Sequence, residues 1–167
     1  MPAPTLTSAD FRRALGAFAT GVTVVTAERE AGQVHGMTAN SFTSVSLDPF
    51  LILVCVDHRA RLLKHLKEKG RFGVSVLRET QQAWSEYFAR LDTSPETEER
   101  LGIRFLWTPS GIPLVEDTLL QLACTVAAFH TAGDHTIVVG EVECAYMDSG
   151  KPLLFYRGAY RSFDSVE

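Results

Sequence analysis

Residues 35–56, HGMTANSFTSVSLDPFLILVCV, decide how this chain is read. Thr38, Ala39, Asn40, Ser41, Thr43, Ser44 and Ser46 stand between two apolar, strand-like runs, a density of small polar side chains that few buried strands tolerate. Small side chains let a ligand approach the backbone, while hydroxyls, the Asn40 amide and freed main-chain N–H groups can hydrogen-bond a flat polar heterocycle. The same composition also suits a Ser/Thr-rich loop between strands. From the residues alone both readings stand. Downstream, Phe50 to Val56 is almost continuously apolar and reads as a strand buried on both faces. Upstream, VTVVTAE at residues 22–28 is rich in β-branched residues and reads as another strand. Residues 28–33, with Gly32, make the turn of a hairpin that leads into the polar stretch, which places that stretch near the heart of the sheet.

Composition narrows the classes. With 167 residues the chain suits one domain with a real core, and 46% hydrophobic with 22% charged residues is a globular balance. A formal charge of −4 offers no basic field for nucleic acid or an anionic membrane. Cys55, Cys124 and Cys144 are odd in number, far apart and set in apolar runs, as reduced core thiols in the cytoplasm would be. The start of the chain has no basic region followed by an apolar one, and no apolar run reaches the roughly 18 residues of a spanning helix, so a cytoplasmic protein is expected. His35, His58, His65, His130 and His135 form no HExxH or other short-spaced pair, so no metal is assigned. GxSxG, P-loop and GxGxxG signatures are absent as well.

Around the central stretch, Ser8 reads as the N-cap of a first helix with Asp10 in its first turn, with Phe11, Leu15 and Phe18 at helical spacing and Gly21 as its stop. Arg59 to Lys69 carries Leu62, Leu63 and Leu66 at helical spacing and closes at Gly70. The start of this helix, with Arg59 and Arg61, reads either as a phosphate seat or as a solvated basic face. Phe72 to Leu77 is a strand, and Gln81 to Leu91 a helix with Trp84, Phe88 and Leu91 on one face. Asp92 to Pro109 is the most irregular segment and the candidate for a mobile flap. Leu119–Thr131 and His135–Met147 flank Ala132-Gly133-Asp134 and form a long antiparallel hairpin.

GMTANSFTSVSLDP, followed by a strand ending CVD, resembles the signature of the flavin reductase-like family, whose members adopt an FMN-binding split β-barrel. FATGVTVVT, GRFGVSVL, GDHTIVVGEV and PLLFYRGAY extend the resemblance, in order, over nearly the whole chain. It implies a mainly β fold with flanking helices, a single domain over residues 1–167 with 1–8 as a disordered lead, and a homodimer covered in part by the aromatic tail with Tyr156, Tyr160 and Phe163. The implied activity is that of an NAD(P)H:flavin oxidoreductase, which takes hydride from NADH or NADPH, reduces FMN or FAD, and supplies reduced flavin to a partner monooxygenase. Carried over residue by residue, Thr38, Ala39, Asn40, Ser41, Ser44, Val45 and Ser46 orient the flavin ring. Asp57, His58, Arg59, Ala60 and Arg61 surround ribityl and phosphate, with Arg90 as a further anion contact and Tyr156 as a further cofactor contact. Relatives commonly carry Ser or Thr among the positions of Ala60, Arg61 and Leu62, so arginine here takes over from hydroxyls. His135, in GDH, is implied beside the flavin where the nicotinamide enters. Two other classes share these features: a non-catalytic flavin- or haem-related binding module, and a reductase of another acceptor such as a corrinoid or a metal complex.

Overall fold

The computed structural model describes residues 5–30 and 32–163. In chain order the elements are helix α1 (Ser8–Leu15), strands β1 (Thr20–Gly21), β2 (Thr23–Glu28), β3 (Val34–Ala39), β4 (Phe42–Leu47) and β5 (Phe50–Asp57), helix α2 (Arg61–Lys69) and strand β6 (Arg71–Val76). A 3-10 turn (Glu79–Gln81) runs into α3 (Gln82–Phe88), followed by α4 (Pro95–Leu101), β7 (Phe105–Trp107), β8 (Pro113–Val115), the long pair β9 (Leu120–Ala132) and β10 (His135–Met147), and the closing hairpin β11 (Leu154–Tyr156) and β12 (Ala159–Arg161).

One antiparallel sheet dominates, in the order β3-β2-β6-β9-β10-β5-β4. Its two edge strands, β3 and β4, are separated in sequence only by Asn40 and Ser41. Laid flat, seven strands would set these edges about 29 Å apart, whereas three Cα–Cα steps reach about 11 Å. The sheet therefore curls until its edges nearly meet. The polar stretch lies at that seam and not in the middle of the sheet, contrary to the expectation from the hairpin pattern.

Inside the curl, Val25, Val54, Val56, Phe72, Val74, Cys124 and Val138 pack together, closed at one end by Leu62, Leu63 and Leu66 of α2. These leucines recur at helical spacing because α2 presents one face to the sheet, and Gly70 ends the helix in the left-handed conformation at φ 66°. A second cluster joins Val22, Val24 and Leu77 to Tyr87 and Phe88 of α3 and to Leu153. Gly36 makes this docking possible, since a Cβ there would sit 2.5 Å from the Phe88 ring. The β9–β10 turn is the two residues Gly133 and Asp134, with Gly133 at φ 61°, the position that type II′ hairpins reserve for glycine.

Several expectations are corrected. Thr7, not Ser8, caps α1, its hydroxyl accepting the Asp10 N–H at 3.1 Å, and the helix ends at Gly16 while Gly21 lies in β1. Residues 1–4 of the expected lead, like Ala31 of the β2–β3 turn, lie outside the described residues. β5 is buried on one face only: Ile52, Val54 and Val56 are buried, while Leu51, Leu53 and Cys55 are half-buried on the other. α3 stops at Phe88, so Leu91 falls beyond the helix and is 73% exposed. The proposed flap is structured by α4 and β7. Trp84 Nε1–H donates to the Leu101 carbonyl at 2.9 Å, and the Ser94 N–H donates to the Tyr87 hydroxyl at 2.8 Å. In the tail, the Phe155 and Tyr160 rings meet edge to face at 5.4 Å, Tyr156 and Tyr160 are half-buried and Phe163 is exposed, and within one chain this leaves the expected cover of a partner untouched.

Gly140 of β10 tests how tightly the curl is packed, because a Cβ there would lie 2.5 Å from Cζ of the fully buried Phe72. Gly140→Ala is expected to lower unfolding free energy by about 1–3 kcal/mol, the usual cost of overpacking. Urea denaturation curves that superimpose for the parent and the variant would contradict this.

Candidate functional site

Three hollows converge on the seam. The smallest, about 170 Å³, is lined by Val22, Thr38, Ala39, Asn40, Ser85, Phe155 and Tyr160. The largest, about 710 Å³, opens on the other side of Asn40 and Ser41 and is walled by apolar groups of Leu15, Phe18, Phe42, Leu53 and Phe155. The third is a cleft of about 460 Å³ on the α2 side of β3, bounded by Thr38, Asp57, Arg59, Ala60, Arg61 and Arg90. Thr38 joins the first and third; Asn40 joins the first and second.

Most hydroxyls of the polar stretch are already engaged. Thr38 Oγ1 donates to the Ser85 carbonyl at 2.6 Å and so ties β3 to α3. Ser41 Oγ accepts the Cys55 N–H at 3.1 Å and donates to the Cys55 carbonyl at 3.0 Å, extending the β4–β5 ladder by one residue. Ser46 Oγ accepts the Asp48 N–H. Asn40 differs from these three: its amide is exposed and has no intramolecular partner among the described residues. Ser44, Val45 and Ser46 line none of the three hollows. Ser46 pairs with Leu51, six residues along β5 from Asp57 and about 20 Å away.

The cleft end is an electrostatic arrangement. Arg59 grips Asp57 through its backbone N–H at 2.8 Å, its Nε at 3.0 Å and a guanidinium nitrogen at 2.7 Å. Those hydrogen bonds hold the Asp57 carboxyl well below the usual carboxylate range. Arg59 is thus engaged by Asp57 rather than standing free. Arg61 and Arg90 are exposed on the cleft with no ion-pair partner among the described residues. Ala60 caps α2 without a side-chain hydrogen bond, so the first N–H groups of the helix keep their donor capacity. His35, on the cleft floor, is pushed down to about 4 by burial and then by its neighbours His65, Arg29 and Arg61, so its imidazole is neutral at pH 7.

His135 opens β10 directly opposite Asp57 in the β10–β5 register. Its Nδ1 is 2.7 Å from Asp134 Oδ1, and the Asp134 carbonyl accepts the His58 N–H at 3.0 Å, which pins the turn to the end of β5. A ring donating Nδ1–H to Asp134 presents Nε2 as an acceptor. Of the residues singled out from sequence, the fold thus assembles Thr38, Asp57, Arg59, Ala60, Arg61 and Arg90 in one cleft, with His58 and His135 beside it and Ala39, Asn40 and Ser41 at the adjoining seam. Tyr156 lines none of the hollows and lies under the Arg157 guanidinium, 5.2 Å from its carbon to the ring centroid. Its neighbour Phe155, on the alternate face of β11, lines two of them. Phe155, Tyr160, Ser85 and His35 also line these hollows, although none of them is among the cofactor contacts expected from the sequence. Strand alternation next to Tyr156 was the available signal for Phe155; Ser85 and His35 join the site only through tertiary packing.

Among the described residues no group of three or more His, Cys, Asp or Glu side chains is placed to hold a metal, and no helix is long and apolar enough to cross a membrane.

An NADH-dependent flavin reductase from Rhodococcus sp is 47% identical over 163 residues, covering 96% of this chain and 89% of that protein. The reductase subunit HsaB of a flavin-dependent monooxygenase from Mycobacterium tuberculosis is 39% identical over 159 residues, covering 92% of this chain and 81% of that one. Among solved structures, flavin reductase PheA2 in its native state superposes with a TM-score of 0.85 at 37% identity, covering 95% of this chain and 99% of that one. Residues 15–164 match the family described as flavin reductase like domain, and with these relatives sharing both sequence and fold over almost its full length, the chain belongs to that family.

Proposed function

We propose that this chain is an NADH-dependent flavin reductase of the cytoplasm that reduces FMN or FAD and supplies reduced flavin to a separate monooxygenase. The observation that carries the reading is the position of the unpartnered Asn40 amide. It stands between an apolar hollow wide enough for a flat ring and a seam leading to a cleft with two unpaired guanidiniums. That donor set fits a flavin, which is a flat ring with a polar edge at one end and a phosphate at the other. The names of the relatives support NADH as donor and a monooxygenase as the enzyme served.

Bound flavin supplies the hydride acceptor at N5 for a reduced nicotinamide. The chain's own residues orient, exclude water and neutralise charge. Asn40 offers a donor and an acceptor to the polar edge of the ring, while Phe42, Leu53 and Phe155 keep water from its flat faces. Arg61, Arg90 and the open N–H groups of α2 hold the phosphate. His135, oriented by Asp134, accepts the carboxamide N–H of the nicotinamide through Nε2 and so fixes the donor ring without moving a proton. Anaerobic NADH oxidation in the presence of FMN or FAD tests the reading directly; a purified protein that oxidises no NADH with either flavin would refute it.

A homodimer completes the site in this reading. α1 buries no residue in its own chain, and Leu15 and Phe18, 58% and 77% exposed, border the same large hollow as Leu53 and Phe155. An apolar wall of this kind, continuous with the proposed ring site, is covered by a second copy of the chain. Light scattering at micromolar concentration should return twice the monomer mass of 18.4 kDa, and a monomer would exclude this arrangement.

Asn40→Leu should weaken flavin binding by about 1–3 kcal/mol, because the polar ring edge loses its partner, with folding retained. Unchanged affinity alongside an intact circular dichroism spectrum would move the ring elsewhere. His135→Ala should slow reduction or raise the KM for NADH about tenfold, near 1.4 kcal/mol, at almost constant flavin affinity. Stopped-flow traces that match the parent at every donor concentration would remove His135 from the site.

A further inference from the structure

The largest hollow at the seam carries a single charge. Of the described residues that line this space of about 710 Å³, Arg12 alone is ionic; the others are apolar side chains, glycines, hydroxyls, the Cys55 thiol and the Asn40 amide. Burial pushes the Cys55 thiol up, so it adds no charge. Arg12, Leu15 and Gly16 come to the hollow from one face of α1 and its C-cap, at spacings of three and four. The end of the helix is held there, since the Gly16 carbonyl accepts the Arg157 N–H at 2.8 Å. Arg13 does not line the hollow and is paired at 2.7 Å with Asp10, the only acid of α1. Arg12 has no side-chain partner among the described residues, and neither has Thr20 Oγ1, buried in the same wall.

A lone cation beside a neutral ring site separates ligands by charge. Hydride leaves C4 of the nicotinamide with its electron pair and forms the N5–H bond of the flavin, so the donor ring becomes a cation and the flavin ring gains one negative charge, shared along N1 and C2=O. Asn40 and the hydroxyls are neutral and serve both redox states of the ring, while Arg61 and Arg90 meet a phosphate whose charge stays the same. Arg12 is the lining group whose attraction grows as the ring charge appears. We infer that Arg12 is the charge partner of the reduced flavin ring, its guanidinium on the N1–C2=O edge, and that it sets how much more tightly the protein holds reduced than oxidised flavin. This rests on the flavin reductase reading and adds to it the residue that tunes hydride acceptance. A cation in the last turn of a helix also meets the helix carbonyls, but that effect acts on stability and not on the potential of a ligand.

The test is the two-electron midpoint potential of FMN, read by anaerobic titration against a reference dye with the full chain in excess, together with the affinity for oxidised FMN from flavin fluorescence. Arg12→Gln lies at an exposed position of a helix that buries none of its residues, and its folding is checked by circular dichroism. It should weaken binding of reduced FMN about tenfold and leave binding of oxidised FMN nearly unchanged, which moves the potential of bound FMN about 30 mV negative. Arg12→Lys, which keeps the charge, should recover most of that shift. Arg13→Gln, which removes a charge from the same turn outside the hollow, should leave the potential where it is. Higher ionic strength should narrow the gap between the parent and Arg12→Gln. A potential in Arg12→Gln equal to that of the parent, or an equal shift in Arg13→Gln, overturns the inference. If the parent still reduces FMN with NADH in either case, only the role of Arg12 falls; a parent that neither binds nor reduces FMN takes the reductase reading with it.

Discussion

Two residues of chain between the opposite edges of a seven-stranded sheet are the constraint on which the rest of the structure depends. Asn40 and Ser41 cannot span a flat sheet, so the strands coil until β3 and β4 come together. Closure has a cost at the seam, where neither edge strand finds a full ladder partner. Ser41 offsets part of it by bonding both backbone groups of Cys55, and Thr38 donates across to the Ser85 carbonyl of α3. These two hydroxyls are thereby committed to the fold, while the Asn40 amide has no intramolecular partner among the described residues. The candidate site at the seam follows from how the barrel closes, since this is where small side chains, a gap between edges and an unspent amide coincide.

The helices serve the same end. Gly36 lets Phe88 press against β3, which brings the end of α3 over the cleft and places Arg90 and Leu91 on its rim. From the other side, the three leucines of α2 lock that helix onto the sheet with its N-terminus facing the same space. Across the end of β5, the tight Gly133-Asp134 turn sets His135 opposite Asp57. Each of these placements depends on a packing contact more than ten residues away in sequence, so the site is only as rigid as the two cores beneath it.

This division explains what the amino-acid sequence made legible. Strand alternation and the two hairpin turns mark most of the large sheet, and the α2 leucines and Gly70 mark that helix and its end, because those signals are local. β5 read as buried on both faces since its outward residues Leu51, Leu53 and Cys55 are as apolar as its inward ones, and periodicity does not distinguish the two faces of such a strand. Leu91 misled for a similar reason, continuing a helical spacing past the last helical residue. At the site, the motif located Thr38, Asn40, Asp57, Arg61 and Arg90 in one neighbourhood. It could not show that the hydroxyls of Thr38 and Ser41 are spent on the fold, or that Phe155 and not Tyr156 turns toward the hollows, since both depend on which tertiary partner each side chain meets.

Net charge and local charge point in opposite directions in this molecule, and distance decides between them. A formal charge of −4 would repel an anionic ligand if it acted as a whole, yet at physiological ionic strength charges further than about 8 Å are largely screened. The acid that lines the cleft is committed: Asp57 is bound three ways by Arg59. That pairing offsets the carboxylate charge at the cleft wall and leaves Arg61, Arg90 and the helix N–H groups without a carboxylate partner among the described residues. Removing Arg59 would therefore do more than delete one cation: it would release the Asp57 carboxylate beside the other two, so the arginine that is not free to bind an anion is the one that keeps the cleft able to.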